Sequence, residues 1–465
     1  MVNAAGLMRV GSVSVVAPAG HGKTELITEI AGHGRRSLIL THTHAGVHAI
    51  RARLKRHGIP GRRASVDTIA GWCMRYGHAF PGVAHPPDGL PKSGEEWDQL
   101  YSGILQALDV QAVREVLRSS YDRILIDEYQ DCGGIQHEIA KKLAGVVPTI
   151  IFGDPMQGIF EFAGATLSWA DDIYKSFPLY GTLGTPFRWV EKNEKLGEWI
   201  AETRVKLERG EVIDLADPRV DFRTTNSAFD MGVFFEDIDA NVGNSAAIHC
   251  NKVICYKLAS AANGGYQAIE EVAAYRLSDF AKQWDVAGSG AERFAAIKSM
   301  ISDCFHVVKL KEGEIEDQEG VSSHEAVQAE ITFLGEGTGA GTAHSIFAHV
   351  RRHPRLKLYR AELLRDVERT LSELAADRAE NLVTAADAIR QRMSLAGRHL
   401  PKRTVSTPLL LKGLEFDHVV LPDTTHFQKE RKASAKLFYV AISRATRTLR
   451  IASSERYIQF DRPNI

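Results

Sequence analysis

Lys23 and Thr24 close a glycine-bearing turn, APAGHGKT over residues 17–24, and a lysine beside a hydroxyl in that setting suits a phosphate group. An apolar strand carrying Val13, Val15 and Val16 runs straight into the turn. Gly20 and Gly22 let the backbone N–H groups of Ala19, Gly20, His21 and Gly22 approach anionic oxygens. The helix that follows, with Glu25 in its first turn, presents its positive end. Lys23 would reach the β- and γ-phosphates of a nucleoside triphosphate, and Thr24 would ligate Mg²⁺. The full pattern begins with glycine, where this chain has Ala17. A chance glycine turn ahead of a helix is the plain alternative.

The segment ILIDEYQD, residues 124–131, supplies the acids such a site needs. Ile124, Leu125 and Ile126 suit a central parallel strand, which would leave Asp127 and Glu128 at its end beside the phosphate turn. Asp127 would hold the water shell of Mg²⁺, and Glu128 would orient and deprotonate an attacking water. An Asp–Glu pair capping a surface helix is the competing reading, and the apolar strand before it argues against that.

Strands and helices alternate over residues 1–180, where SLILTHT (37–43), RILIDE (123–128) and TIIFGDP (149–155) follow the first strand. That order predicts an open parallel α/β sheet. A helix then ends at Gly210, and residues 245–258 read as a strand followed by a helix. Residues 268–395 are mostly helical, broken by an acidic loop at 312–320 and a glycine-rich stretch at 334–344. Strand character returns at 404–452, so a helical insertion inside a second α/β domain explains the order.

A chain of 465 residues has room for two to four domains. Its net charge of −1 gives no overall basic field, so any nucleic-acid affinity must come from local patches. Arg51, Arg53, Lys55 and Arg56 form one basic cluster, for which a solvated helix face is an equal reading. Arg351, Arg352, Arg355, Lys357 and Arg360 form another, a candidate duplex or partner contact. Five scattered cysteines lack the paired spacing of a zinc site and fit reduced thiols in a cytoplasmic protein. No apolar run approaches membrane-spanning length.

Six further blocks occur in order, and with them the chain resembles the UvrD/Rep-type helicases of superfamily 1. THTHAGVHAIRARL (41–54) resembles motif Ia and SVDTIAGW (65–72) motif Ib. FGDPMQGIFEFAGA (152–165) is similar to motif III and GTPFRW (184–189) to motif IV. TPLLLKGLEFDHVVL (407–421) is similar to motif V and LFYVAISRA (437–445) to motif VI.

The resemblance implies two RecA-like motor domains, each a parallel-sheet α/β fold, clamping ATP and Mg²⁺ between them. The first would span 1–185 with a small helical insertion at about 78–120; the second would comprise 186–267 and 401–465, interrupted by a helical accessory insertion at 268–400. It implies that Gln157 senses the γ-phosphate, that Arg188 and Arg444 act as arginine fingers, and that Gly413 and Glu415 lie at the nucleotide sugar. Single-stranded DNA, or a single/double-strand junction, would meet Thr41, His42, Thr43 and Thr68 through its phosphates. Phe160 and Phe162 would meet it by base stacking, unless they are simply core phenylalanines.

Movement 3′ to 5′ is implied by the family alone. Departures from the family pattern include Ala163 in place of arginine, Leu409 in place of histidine, short inserts, and no glutamine before the first strand. In size and layout the chain also looks like the helicase subunit of the Gabija antiphage system, which would imply a partner nuclease, for example of the OLD family, and a role in repair or antiphage defence. Two other classes are weighed: an ATP-gated DNA-binding subunit that activates a nuclease without unwinding, and a kinase or GTPase indifferent to DNA.

Overall fold

Each apolar run read as a strand within residues 1–180 pairs with another such run in one six-stranded sheet. A computed structural model describes residues 2–91, 93–159, 167–236, 243–263, 265–269, 273–307, 325, 339–396, 401–430 and 433–465. Its first strands are β1 (Val13–Val16), β2 (Ser37–Thr41), β3 (Ala64–Thr68), β4 (Arg123–Ile126), β5 (Thr149–Gly153) and β6 (Leu179–Thr182). They lie in the order β3-β2-β4-β5-β1-β6, and all five pairings are parallel.

Alternation along the strands builds a core on each face. Leu38, Leu40, Ile124, Ile126 and Ile151 join one cluster with Trp72, Tyr129 and Phe177. Their neighbours Ile39, Leu125, Ile150 and Phe152 join the other, with Ile27, Ile30, Val47 and Ile50. Parallel strands need crossover segments, and the helices Lys23–His33, His44–Arg56 and Gly134–Ala144 supply them. Their N-termini therefore sit at the carboxyl ends of the strands, where ligands of open α/β sheets bind. Helices Gly94–Ala107 and Gln111–Ser120 lie between β3 and β4.

β7 (Ile213–Asp214) closes this region. The next strands are β8 (Asp221–Thr224), β9 (Ser245–Ile248), β10 (Gln267–Ala268), β11 (Phe305–Val307), β12 (Leu356–Leu358), β13 (Arg403–Ser406), β14 (Phe416–Leu421) and β15 (Ala445–Ser453). A second six-stranded sheet has the order β10-β13-β9-β14-β15-β8, with β10/β13, β13/β9, β14/β9 and β15/β8 parallel. The fold is thus α/β with two RecA-like parallel sheets. Between β10 and β13 the described residues form mainly helices, including Ala273–Val286, Gly290–Cys304, Gly339–Arg352, Ala361–Ala375 and Leu382–Ala396. Trp284, Ile297, Phe347, Val367 and Leu371 share their common core. β16 (Tyr457–Ile458) returns to pair antiparallel with β7.

Two compact units result: Met1–Val220 with Phe427–Thr448 and Tyr457–Ile465, and Asp221–His426 with Leu449–Arg456. The division departs from a boundary at 185/186. Helix Glu194–Arg209 packs on helix Ser434–Ile442, and Trp189 Nε1 donates to the Ala445 carbonyl at 2.7 Å. These contacts hold residues 186–220 and the Arg444 segment in the first unit. All five cysteines are free thiols, and no described helix is long and apolar enough to cross a membrane.

Candidate nucleotide site

The turn after β1 has the backbone its glycines foretell. Gly20 and Gly22 adopt φ of +75° and +81°, the left-handed region that costs other residues strain. A Cβ on Gly20 would fall 2.7 Å from Arg188 Cβ, and one on Gly22 2.9 Å from the Phe187 ring, so space as well as conformation demands glycine. Ala17 N–H donates to the Gly153 carbonyl at 2.8 Å, which anchors the turn on β5. The first-position alanine is buried among these contacts. His21 Nδ1–H donates to the Ala19 carbonyl at 2.8 Å, and burial lowers its affinity for a second proton.

Lys23, the first residue of the helix, meets both acids of the second motif. Its Nζ lies 2.8 Å from Asp127 Oδ1 and also contacts Glu128 Oε1. Burial opposes the lysine's charge, but the two carboxylates outweigh that penalty and hold the ammonium above its ordinary range. Glu128 sits at φ +55°, an unusual conformation for a residue with a Cβ, and strain of this kind concentrates at functional sites. Thr24 occupies the next helical position, and its carbonyl accepts from Thr28 Oγ1 at 2.8 Å.

A chain of polar contacts leads from this lysine to Arg444. Gln130 Nε2 donates to Glu128 Oε2, while Gln130 Oε1 accepts from Asp154 N–H at 3.0 Å. Asp154 Oδ2 accepts from Gln157 Nε2 at 2.9 Å, and Gln157 Oε1 lies 3.5 Å from Arg444 Nη2. Arg444 is 1 % exposed; its Nε donates to the Val440 carbonyl at 2.9 Å and its Nη2 to Ser443 Oγ at 2.8 Å. Arg188 joins from the other side, its backbone N–H on the Gly20 carbonyl at 3.0 Å and its Nη1 on the Ser443 carbonyl at 2.5 Å.

Sequence reasoning missed four members of this assembly. Asp154 is buried and accepts Arg204 Nη2 at 2.9 Å, and burial of that guanidinium is outweighed by Asp154, Tyr439 and Glu208, which raise its proton affinity. Tyr439 accepts the Ala19 N–H at 3.0 Å, linking helix Ser434–Ile442 to the phosphate turn. Gln130 lies inside the DEYQ run, and Asp154 and Tyr439 lie inside blocks already quoted, so their neighbours were the signal. Arg204 carries none, because an arginine on an amphipathic helix reads as surface. Phe187 is 63 % exposed beside Gly22, an aromatic face at the turn.

Other expected residues lie elsewhere. Glu25, expected among the nucleotide-binding residues, is engaged by Arg53 Nη1 at 2.6 Å and His57 Nε2 at 2.8 Å. Thr41 is 1 % exposed, which leaves its hydroxyl no surface to offer a strand. Thr43 and Thr68 are helix N-caps whose hydroxyls accept from Gly46 N–H at 3.0 Å and Gly71 N–H at 2.9 Å. His42 Nε2 lies 3.3 Å from Cys132 Sγ. Gly413, at φ +80°, and Glu415 are exposed residues of the second unit. Phe160, Phe162 and Ala163 fall outside the described residues. No group of His, Cys, Asp or Glu able to hold a metal ion occurs among the described residues, and the proposed Thr24–Asp127 pair is of a different kind.

Comparison with known families agrees with the motif order. Residues 92–178 match the UvrD/REP helicase N-terminal domain, and residues 405–452 match the UvrD-like helicase C-terminal domain. These two segments are similar to UvrD-type helicase domains. No curated protein matches the sequence.

Solved structures similar to this chain include Pif1 helicase from Candida albicans, 12 % identical, with a TM-score of 0.41 over 97 % of this chain and 93 % of that one. Pif1 helicase from Bacteroides, in complex with ADP-AlF3 and single-stranded DNA, is 15 % identical with a TM-score of 0.31, over 56 % of this chain and 55 % of that one. Arterivirus nonstructural protein 10, a helicase in complex with DNA, is 13 % identical with a TM-score of 0.26, over 51 % and 47 %. The chain thus spans about half the length of the last two.

Proposed function

We propose that this chain is an ATP-dependent DNA translocase or helicase that steps along single-stranded DNA. The observation that carries the reading is the unbroken polar path from Lys23 through Glu128, Gln130, Asp154 and Gln157 to Arg444. The turn fits a triphosphate: two glycines without Cβ atoms, a helix N-terminus and a charged lysine converge there. Two carboxylates face one ammonium, a surplus of negative charge that suits a divalent cation held by Thr24 and Asp127. Mg²⁺, when bound, neutralises charge on the β- and γ-oxygens.

Lys23 exchanges its carboxylate partners for phosphate oxygens as nucleotide enters. Glu128, relieved of the lysine, accepts the proton of the attacking water. Arg188 and Arg444 neutralise charge on the transferred phosphoryl group, and Phe187 offers its ring to the base. Loss of the γ-phosphate alters the partner of Gln157 and hence the setting of Arg444. Arg444 directly precedes β15, a strand of the second sheet, so this change is passed along the chain itself. Gly413 and Glu415 remain candidates for the sugar, and Phe160 and Phe162 for base stacking, on sequence grounds.

A second reading is a subunit that binds ATP and DNA and activates a partner nuclease without unwinding. Ala163, Leu409 and the short inserts favour it. The test is strand separation on a 3′-tailed and a 5′-tailed duplex, alongside DNA-stimulated hydrolysis. The motor reading expects stimulated hydrolysis and unwinding of the 3′-tailed substrate. Stimulated hydrolysis without unwinding of either supports the subunit reading, and hydrolysis indifferent to DNA overturns both.

A further inference from the structure

Cations dominate one flank of the first unit. Residues 51–63, RARLKRHGIPGRR, hold Arg51, Arg53, Lys55, Arg56, Arg62 and Arg63 and no acid, in a chain whose net charge is −1. Arg53 is paired with Glu25. Among the described residues no carboxylate pairs with Arg51, Lys55, Arg56, Arg62 or Arg63, and all five are exposed. Arg51 is fixed by donating Nη2 to the Val66 carbonyl at 2.7 Å, and Arg63 by donating Nη1 to the Gly32 carbonyl at 3.0 Å. Lys55 and Arg56 complement the negative end of helix His44–Arg56, and Arg63 that of helix Lys23–His33, whereas Arg62 lies beyond both.

Arg51 and Lys55 line a pocket of about 640 Å³ between that helix end, the turn Gly58–Gly61 and the edge strand β3, together with Arg75, which is paired with Asp67. We propose that this flank binds the phosphate backbone of duplex DNA, a contact separate from the single-strand path, and one that rests on the DNA reading above. Its chemistry selects the duplex in two ways. No aromatic side chain lines the pocket, so it has no platform for the base stacking that single strands use. Duplex DNA also carries about one negative charge per 1.7 Å of axis, the densest regular array of phosphates a cluster of unpaired cations can meet.

The test compares the full chain with a Lys55→Ala/Arg56→Ala/Arg62→Ala variant by fluorescence anisotropy, on a short blunt duplex and on single-stranded DNA of equal length. The three positions are exposed and unpaired, and thermal melting checks that the variant is folded. The variant is expected to lose duplex affinity by about 10-fold or more, with its salt slope reduced by about 3, while single-strand affinity and DNA-free hydrolysis change little. Unchanged duplex affinity overturns the proposal and leaves an acidic polypeptide as the partner to seek. Equal losses on duplex and single strand overturn it too. Should hydrolysis prove indifferent to DNA while the variant still loses duplex affinity, the motor reading falls and the duplex flank stands.

Discussion

The segments after β1, β4 and β5 hold Lys23, Asp127, Glu128 and Asp154, whereas the residues at and after the ends of β2 and β3 are Thr41, Thr43 and Thr68. Both groups lie along the carboxyl edge of one sheet, yet they treat charge differently. In the first, buried charges are paired with each other across elements far apart in sequence. In the second, neutral hydroxyls cap their own helices and leave two N-termini side by side, since Thr41 and Thr68 are register partners. Paired buried charges are costly to rearrange and suit a site that must change state with its ligand.

Breaking the charged group should have the larger consequences. Arg444→Ala is expected to lower ATP turnover by about 10³-fold or more, with ATP still bound, as for loss of an arginine finger. Near-normal turnover in steady-state assays would remove Arg444 from the chemistry. Glu128→Gln should slow the single-turnover rate by about 10²–10⁴-fold while nucleotide affinity survives. An unaltered rate would place the general base elsewhere.

Arg204→Met leaves Asp154 charged and buried, which should cost about 3–5 kcal/mol of stability, read as a lowered Tm, along with reduced turnover. An unchanged Tm would mean that the pair contributes nothing. Thr43→Ala and Thr68→Ala sharpen the comparison from the neutral side, each expected to cost about 1 kcal/mol with hydrolysis intact. A collapse of hydrolysis in either would erase the distinction between the two stretches.

Acid should act weakly on both. Burial holds His21 and His137 below the ordinary imidazole value, so the unfolded chain takes up protons that the folded one refuses. Stability is then complete above about pH 6.5 and declines as pH falls toward the folded values. Thermal melts across that range test the sign, and rising stability on acidification would contradict it.

Much of the first group was legible in the sequence because its residues sit in short local patterns. A strand, a glycine turn and a lysine occupy a dozen positions, and Asp127 and Glu128 directly follow an apolar run. β3 and β6 escaped the strand reading for a physical reason. Both are sheet edges, one alternating Ala-Ser-Val-Asp-Thr and the other half-exposed, so neither carries the continuous apolar run of a central strand. Arg204 escaped because its partner Asp154 is 50 residues away, and only the fold brings them together. The partners of Glu25 are not legible either, because a first-turn acid beside the phosphate turn looks local, while Arg53 and His57 reach it from the next helix.

The most direct test of the central claim is the steady-state ATPase rate of the chain and of Lys23→Ala, each with and without single-stranded DNA. DNA should raise the rate of the unmodified chain several-fold and leave Lys23→Ala silent in both conditions. Turnover in Lys23→Ala equal to that of the unmodified chain would contradict the account.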